Sequence, residues 1–379
     1  MRNLIIIFSF LLLFAAGCSL SKIQYEANED LHYYSMFGEI PSRNFFTPQT
    51  LSDSIVKKWE ADINGSFSNS SVSIYDNLVF VNDLSGRVYC FNINTGKQIG
   101  KLKSGDGVFT TPIINKFNVI YASAQRGKNE SILQFYDFVK GKLINEITVE
   151  GRVISEIIKT EDAIIFNTED GRVYKFNFFG SKEWGIETKV LTHSSPALKN
   201  NIKVFGNDNG EIVGVDALSG KIKFKEKISK PFFASPSIIN ETIFIGNDDG
   251  KLYAIDLNTG KVKWNFNTGG RINMSAASDS NNIYIGNLKG ELFSLNIKYH
   301  SLNWKQTFDG AFSAAPLVSN NLIIQPDLES KIHFINKDDG RILKSIQLDG
   351  RAKLSPVYFK DILFIGYDNG VLAAYEFEK

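Results

Sequence analysis

Along most of the chain, short apolar stretches alternate with clusters of Gly, Asn, Asp and Ser that recur about every ten positions. No 3.6-residue periodicity is present, so helices are not expected. The stretch IGNDDGKLYAIDLNTGKVKW, residues 245–264, reads as two strands joined by a turn, and residues 285–304, IGNLKGELFSLNIKYHSLNW, repeat it forty positions later. With Gly250 as anchor, equivalents fall at Gly86, Ser131, Gly171, Gly210, Gly290, Ser330 and Gly370, which makes eight units. Steps are 40 except 39 before Gly210 and 45 before Ser131, where AQRGKNES reads as a loop insertion.

Each anchor opens a strand such as Lys251-Leu252-Tyr253-Ala254-Ile255. Six residues on stands Asn92, Asp137, Asn177, Asp216, Asp256, Asn296 or Asn336, with Glu376 in the last unit. A short carbonyl or carboxylate there accepts backbone N–H groups and starts a tight turn. Gly96, Gly141, Gly220, Gly260 or Gly340 four residues later, or Gly180 three later, closes it, and where His300 takes that place a distorted turn is expected. These carboxylates therefore read as turn makers rather than as an acid–base pair. Pro112, Pro196, Pro236, Pro316 and Pro356, each after two small residues or Leu-Ser, mark where the first strand of a unit begins.

Four short antiparallel strands in forty residues describe a propeller blade. The expected fold is all-β, an eight-bladed β-propeller of four-stranded antiparallel blades over residues 54–379. Trp184, Trp264 and Trp304 lie four residues past the turn position, and Phe224 fills the same slot. The last unit would need a strand after the chain ends. SIVKKWEADI supplies it from the other end, with Trp59 in the same context. The N-terminal strand is thus expected to complete the last blade and leave no open edge. The four Trp and Phe224 are expected to pack between blades.

Ahead of the ring, Arg2 precedes the apolar run LIIIFSFLLLFAA, too short to span a bilayer and suited to a signal segment over residues 1–17. Ala15-Ala16-Gly17-Cys18 resembles a bacterial lipobox, with Ala in place of the usual Leu, and implies lipidation of Cys18. Ser19 in place of Asp favours, by the same resemblance, the outer membrane. Residues 18–53 show no periodicity and are expected to form a lipidated, flexible tether with a reach of roughly 30–35 Å. Cys90 has no partner cysteine in the exported chain and reads as a small buried hydrophobe.

Composition adds exclusions. Of 379 residues, 43% are hydrophobic and 22% charged, with a net charge of +1, which lacks the basic field of a nucleic-acid binder. The four histidines have no metal-ligand spacing, and GNDNG and GNDDG lack the ligand pattern of a calcium loop, so no metal or cofactor is expected. No Ser-His-Asp arrangement or phosphate-cradling loop is visible. Arg152, Arg271 and Arg351 occupy equivalent loops between one blade's outer strand and the next blade's inner strand, and are expected to face a partner around one mouth of the channel.

The repeat DDGKLYAIDLNTGKVKW resembles the quinoprotein-type (PQQ-like) propeller repeat. With eight units and a lipobox, the whole mature chain resembles the BamB-like lipoproteins of outer-membrane β-barrel assembly. That resemblance implies a non-enzymatic scaffold at the periplasmic face of the outer membrane, monomeric within a hetero-complex, bound to the periplasmic part of a BamA-like insertion subunit. Family members make that contact through inter-blade loops carrying Arg and acids. The matching stretches, TKVLTHSSP and ISKPFFASP, carry neither Arg nor Asp, so no contact residue is transferred; instead Phe232 and Phe233 read either as an exposed apolar contact pair or, equally, as a cap on the channel. The competing readings are a propeller that binds a cell-envelope ligand and a quinoprotein dehydrogenase. The second lacks the length, inserted segments and adjacent cysteines of those enzymes.

Overall fold

A computed structural model describes residues 22–25 and 33–378. Eight sheets, each antiparallel, follow one another in chain order, and no helix occurs among the described residues. Seven blades are built from consecutive strands. In blade 5, for example, Ser237–Ile239 is innermost, then Thr242–Gly246, Lys251–Asp256 and the outermost Val262–Asn267. Blade 8 takes Ile55–Asp62 as its outer strand beside Val371–Phe377, with Trp59 opposite Ala374 and Lys57 opposite Tyr375. The ends of the ring share one sheet, as expected, and this removes the open edge.

Burial explains the pattern of the chain. The second strand of each blade is covered on both faces by its neighbours. It therefore reads as an unbroken apolar run, as in AIIFN of blade 3 or LVFVN of blade 1, both wholly buried. Outer strands meet solvent on one face and alternate, as VKWNFN does. The turn makers act as expected: Oδ1 of Asp256 accepts the N–H of Asn258 at 3.1 Å and of Thr259 at 3.0 Å. His300 departs from expectation. It holds φ at 55° and keeps the turn bond to Asn296 O at 3.0 Å, so the turn is intact. The imidazole stacks on Trp264 at 4.9 Å, which offsets the cost of the left-handed backbone.

The outer-strand aromatics each reach the next blade. Trp59 lies against Gly96, Trp184 against Gly220, Phe224 against Gly260 and Trp304 against Gly340, closely enough that a Cβ on any of these glycines would overlap the ring. Indole N–H groups of Trp59 and Trp304 donate to Ile93 O at 2.8 Å and Lys337 O at 2.9 Å across the blade boundary. Cys90 is fully buried, and burial pushes its thiol pKa well up.

The expected flexible tether is corrected from Tyr33 onward. Tyr33–Tyr34 pairs with the inner strand of blade 1. The segment then visits the inner strands of the next blades in order. Ser35 O accepts from Ile114 N in blade 2, and the Met36 sulfur from Lys159 N in blade 3. Pro41 O, Ser42 O, Asn44 O and Phe45 O accept from Leu198, Ile238, Ser278 and Val318 in blades 4 to 7, at 2.8–2.9 Å. The innermost strands present unpaired N–H groups to the channel, and this segment satisfies them. It fills the channel instead of hanging free. The signal segment and Cys18 lie outside the described residues.

Candidate functional site

Loops from outer to inner strands, together with loops joining second to third strands, share one face of the ring. Backbone bonds clamp the two sets together: Glu169 N donates to Arg152 O at 2.7 Å, Leu288 N to Arg271 O at 2.9 Å and Asp368 N to Arg351 O at 2.8 Å. On this face the channel opens as a funnel of 350 Å³. Its lining includes Phe37 of the channel-filling segment, Glu156, His193, Phe233 and a set of serines from successive blades.

The funnel wall is a relay of hydroxyls. The slot before Pro, or before Val72 and Ala276 at the equivalent place, holds Ser71, Thr111, Ser195, Ser235, Ser275 and Ser355 in six blades. Ser71 N donates to Thr111 Oγ1 at 2.9 Å, and Ser195 N to Ser235 Oγ at 3.2 Å, so these loops are tied to their successors. In blade 3 the slot is Glu156. Its Oε2 accepts Thr111 N at 2.9 Å, its Oε1 accepts Thr111 Oγ1 at 3.0 Å, and its N–H donates to Ser195 Oγ at 2.9 Å. Burial pushes the Glu156 carboxyl up to about 7, against the opposing pull of the Arg43 charge and the Thr111 bonds.

Arg43 is itself buried in the channel and stands over the Phe37 ring at 5.1 Å. Its Nη2 makes a long contact of 3.5 Å to Glu156 O, while Nε and Nη1 have no protein acceptor among the described residues. Burial lowers its pKa to about 10 in spite of Glu156. Lys203, also fully buried, donates to Asn167 Oδ1 and sits over the Phe205 ring at 4.3 Å. Its pKa falls well below the usual range through burial, with the Arg43 charge adding to the shift. Arg43 and Glu156 therefore share the channel interior, with Lys203 buried between blades 3 and 4 within reach of the Arg43 charge.

The three rim arginines share the loop face, at the junctions of blades 2 and 3, 5 and 6, and 7 and 8. They do not form a cluster, and each has its own acid: Arg152 with Glu169 at 2.8 Å, Arg271 with Asp248, and Arg351 with Asp368 at 2.6 Å. Arg152 differs from the others in standing over Phe109 at 5.8 Å and lining a second cleft of 810 Å³. That cleft lies under the inserted hairpin of blade 2, and Arg126, Lys128 and Asp106 also border it. His193 lies nearby, with Nδ1 2.8 Å from Asp208 and Nε2 3.6 Å from Glu169.

The expected exposed pair Phe232-Phe233 is corrected in half. Phe232 is fully buried, edge-on to Tyr253 at 6.1 Å and pressed against Gly206. It fills the wedge that Ile272 and Phe312 fill elsewhere, each against a glycine that ends the second strand, Gly246 and Gly286. Successive side chains point to opposite sides, so Phe233 alone faces the funnel, 6.0 Å from His193. The glycine in GND and GNL was the readable signal for this wedge. Glu156 was readable too, as a break in the small-residue slot.

A family profile described as "Outer membrane protein assembly factor BamB" matches residues 133–265 and 248–378. The chain belongs to the BamB family. A curated BamB family relative, outer membrane protein assembly factor BamB of Yersinia pestis, is 21% identical over 236 residues, which span 57% of this chain and 56% of that protein. Among solved structures, BamB from Moraxella catarrhalis superposes with a TM-score of 0.72 at 13% identity, covering 86% of this chain and all of that one. Quinohemoprotein alcohol dehydrogenase ADHIIG from Pseudomonas putida HK5 gives 0.74 at 11% identity, covering 94% and 83%. At such identities both likenesses establish the propeller fold and no more.

Proposed function

We propose that this protein is a non-enzymatic scaffold lipoprotein of the outer-membrane β-barrel assembly complex. In this reading it is held at the periplasmic face by lipid on Cys18 and binds the periplasmic part of a BamA-like subunit through its loop face. The family match over residues 133–378 carries the reading. A channel filled by the protein's own residues 33–49 supports it as well, because the accessible concave surface is then the shallow funnel and the hairpin cleft beside it. Within that face, Arg152, Phe233 and His193 stand together at the wall between the two. They offer a guanidinium and a half-buried ring at one spot, the side-chain types favoured in protein interfaces. Arg271 and Arg351 extend the same face at its far side.

Affinity purification of the full chain from native membranes, followed by mass spectrometry, tests the assignment. Recovery of a barrel-insertion subunit is the expected result, and its consistent absence sinks the reading. Turnover of an alcohol by the purified chain with added quinone, calcium and an artificial acceptor would favour the dehydrogenase family instead.

A further inference from the structure

The junction of blades 1 and 2 is built unlike the others. The outer-strand slot that holds Trp264 or Trp304 elsewhere holds Gly100 in blade 1. The gap is filled by the N-terminal segment. Ile23 is fully buried there, and the backbone of Lys22 and Ile23 occupies the place where a Gly100 side chain would stand. Tyr136 Oη donates to Ile23 O at 3.0 Å, and Tyr25 N donates to Phe138 O at 2.8 Å. The chain is thus pinned to the outer flank of the ring before it runs into the channel.

A cavity of 330 Å³ opens on this flank, bordered by Lys22, Lys101, Lys103 and Lys142 with Tyr121 and Tyr136 on its walls. None of the four lysines has an ion-pair partner among the described residues. Beside it, Leu143 and Ile144 of the blade 2 outer strand are 45% and 49% exposed. Four residues separate Lys22 from Cys18, a span of at most about 14 Å of extended chain.

We propose that this flank is a membrane-docking surface. The lysine groove takes anionic phospholipid headgroups, and Leu143 and Ile144 enter the interface beside it. Unpaired lysines near an anionic surface are attracted to it, and their long stems let the ammonium groups reach headgroups while the strand stays close. The inference rests on the lipid-anchor part of the proposed function, which brings this flank within about 14 Å of the bilayer. The ring axis then runs along the membrane plane, and the loop face looks sideways, towards a partner held in the same membrane.

The full chain carrying an environment-sensitive fluorophore at Leu143→Cys, or at Leu302→Cys on the exposed outer strand of blade 6 as a control, is reconstituted into phosphatidylcholine vesicles with and without phosphatidylglycerol. Buried Cys90 is protected from the label. The expected result is a blue shift at position 143 in the anionic vesicles only, none at position 302, and loss of the shift on Lys101→Glu/Lys103→Glu/Lys142→Glu. Equal responses at both positions, or no shift at 143 in vesicle-bound chain, overturn the docking surface. Vesicle flotation of Cys18→Ala reports the anchor separately. Unchanged flotation of that variant with phosphatidylcholine vesicles removes the anchor reading, whereas a shift at 143 that persists there in anionic vesicles keeps the surface.

Discussion

Glu156 offers a test of the hydroxyl relay that can be put in numbers. Its carboxyl is raised from an ordinary 4.5 to about 7 by burial, so the folded protein holds a proton that the unfolded chain releases between those values. Stability from this group is therefore fully present below about pH 4.5 and is lost as pH rises through 7. At about 1.4 kcal/mol per unit, the loss comes to roughly 3 kcal/mol. Glu156→Gln removes the titration and keeps the shape: its carbonyl accepts Thr111 N, and its amide donates to Thr111 Oγ1. The variant should match the wild type near pH 4.5 and exceed it by roughly 3 kcal/mol at pH 8. With an unfolding entropy of roughly 0.7 kcal/mol/K for about 350 described residues, that is about 4 °C in Tm. Thermal unfolding of both proteins across pH 4–8 is the assay. Parallel profiles for the two would refute the assignment of this burial cost to Glu156.

Three further outcomes follow from the same contacts. Arg43→Met removes the cation that favours ionised Glu156, so the pH at which stability falls should move upward, as read from the same melts. Trp304→Ala deletes the ring packed on Gly340 and the bond to Lys337 O; urea unfolding should report a loss of about 3–5 kcal/mol. Arg152→Glu should leave stability within about 1 kcal/mol, because its ion pair with Glu169 is partly solvated, yet sharply reduce recovery of the insertion subunit in pull-downs. Unchanged recovery would remove Arg152 from the proposed contact.

The blades were legible because each is a local event. Strand, Asx turn and closing glycine lie within forty residues, and the side chains that set them sit at fixed spacing. The wedge at Phe232 was only half legible. Two adjacent phenylalanines gave no sign of which one turns inward, and the deciding feature is Gly206, which leaves room for a ring 26 residues away. The channel-filling segment was not legible at all. Residues 33–49 bond six blades through their backbone and a seventh through the Met36 sulfur, so no periodic side-chain signal is required of them. The same holds for the flank at Gly100, where a missing aromatic is replaced by Ile23 from a distant part of the chain.

By itself the sequence determined the number of blades, their strand order and the closure of blade 8 by the strand around Trp59, because repeat spacing and alternation encode hydrogen-bonding partners that are near or equivalent. The tertiary structure alone decided what fills the channel, which charges are buried together and which flank holds the N-terminal segment. Those outcomes depend on volumes and unpaired backbone groups that exist only once the ring has closed.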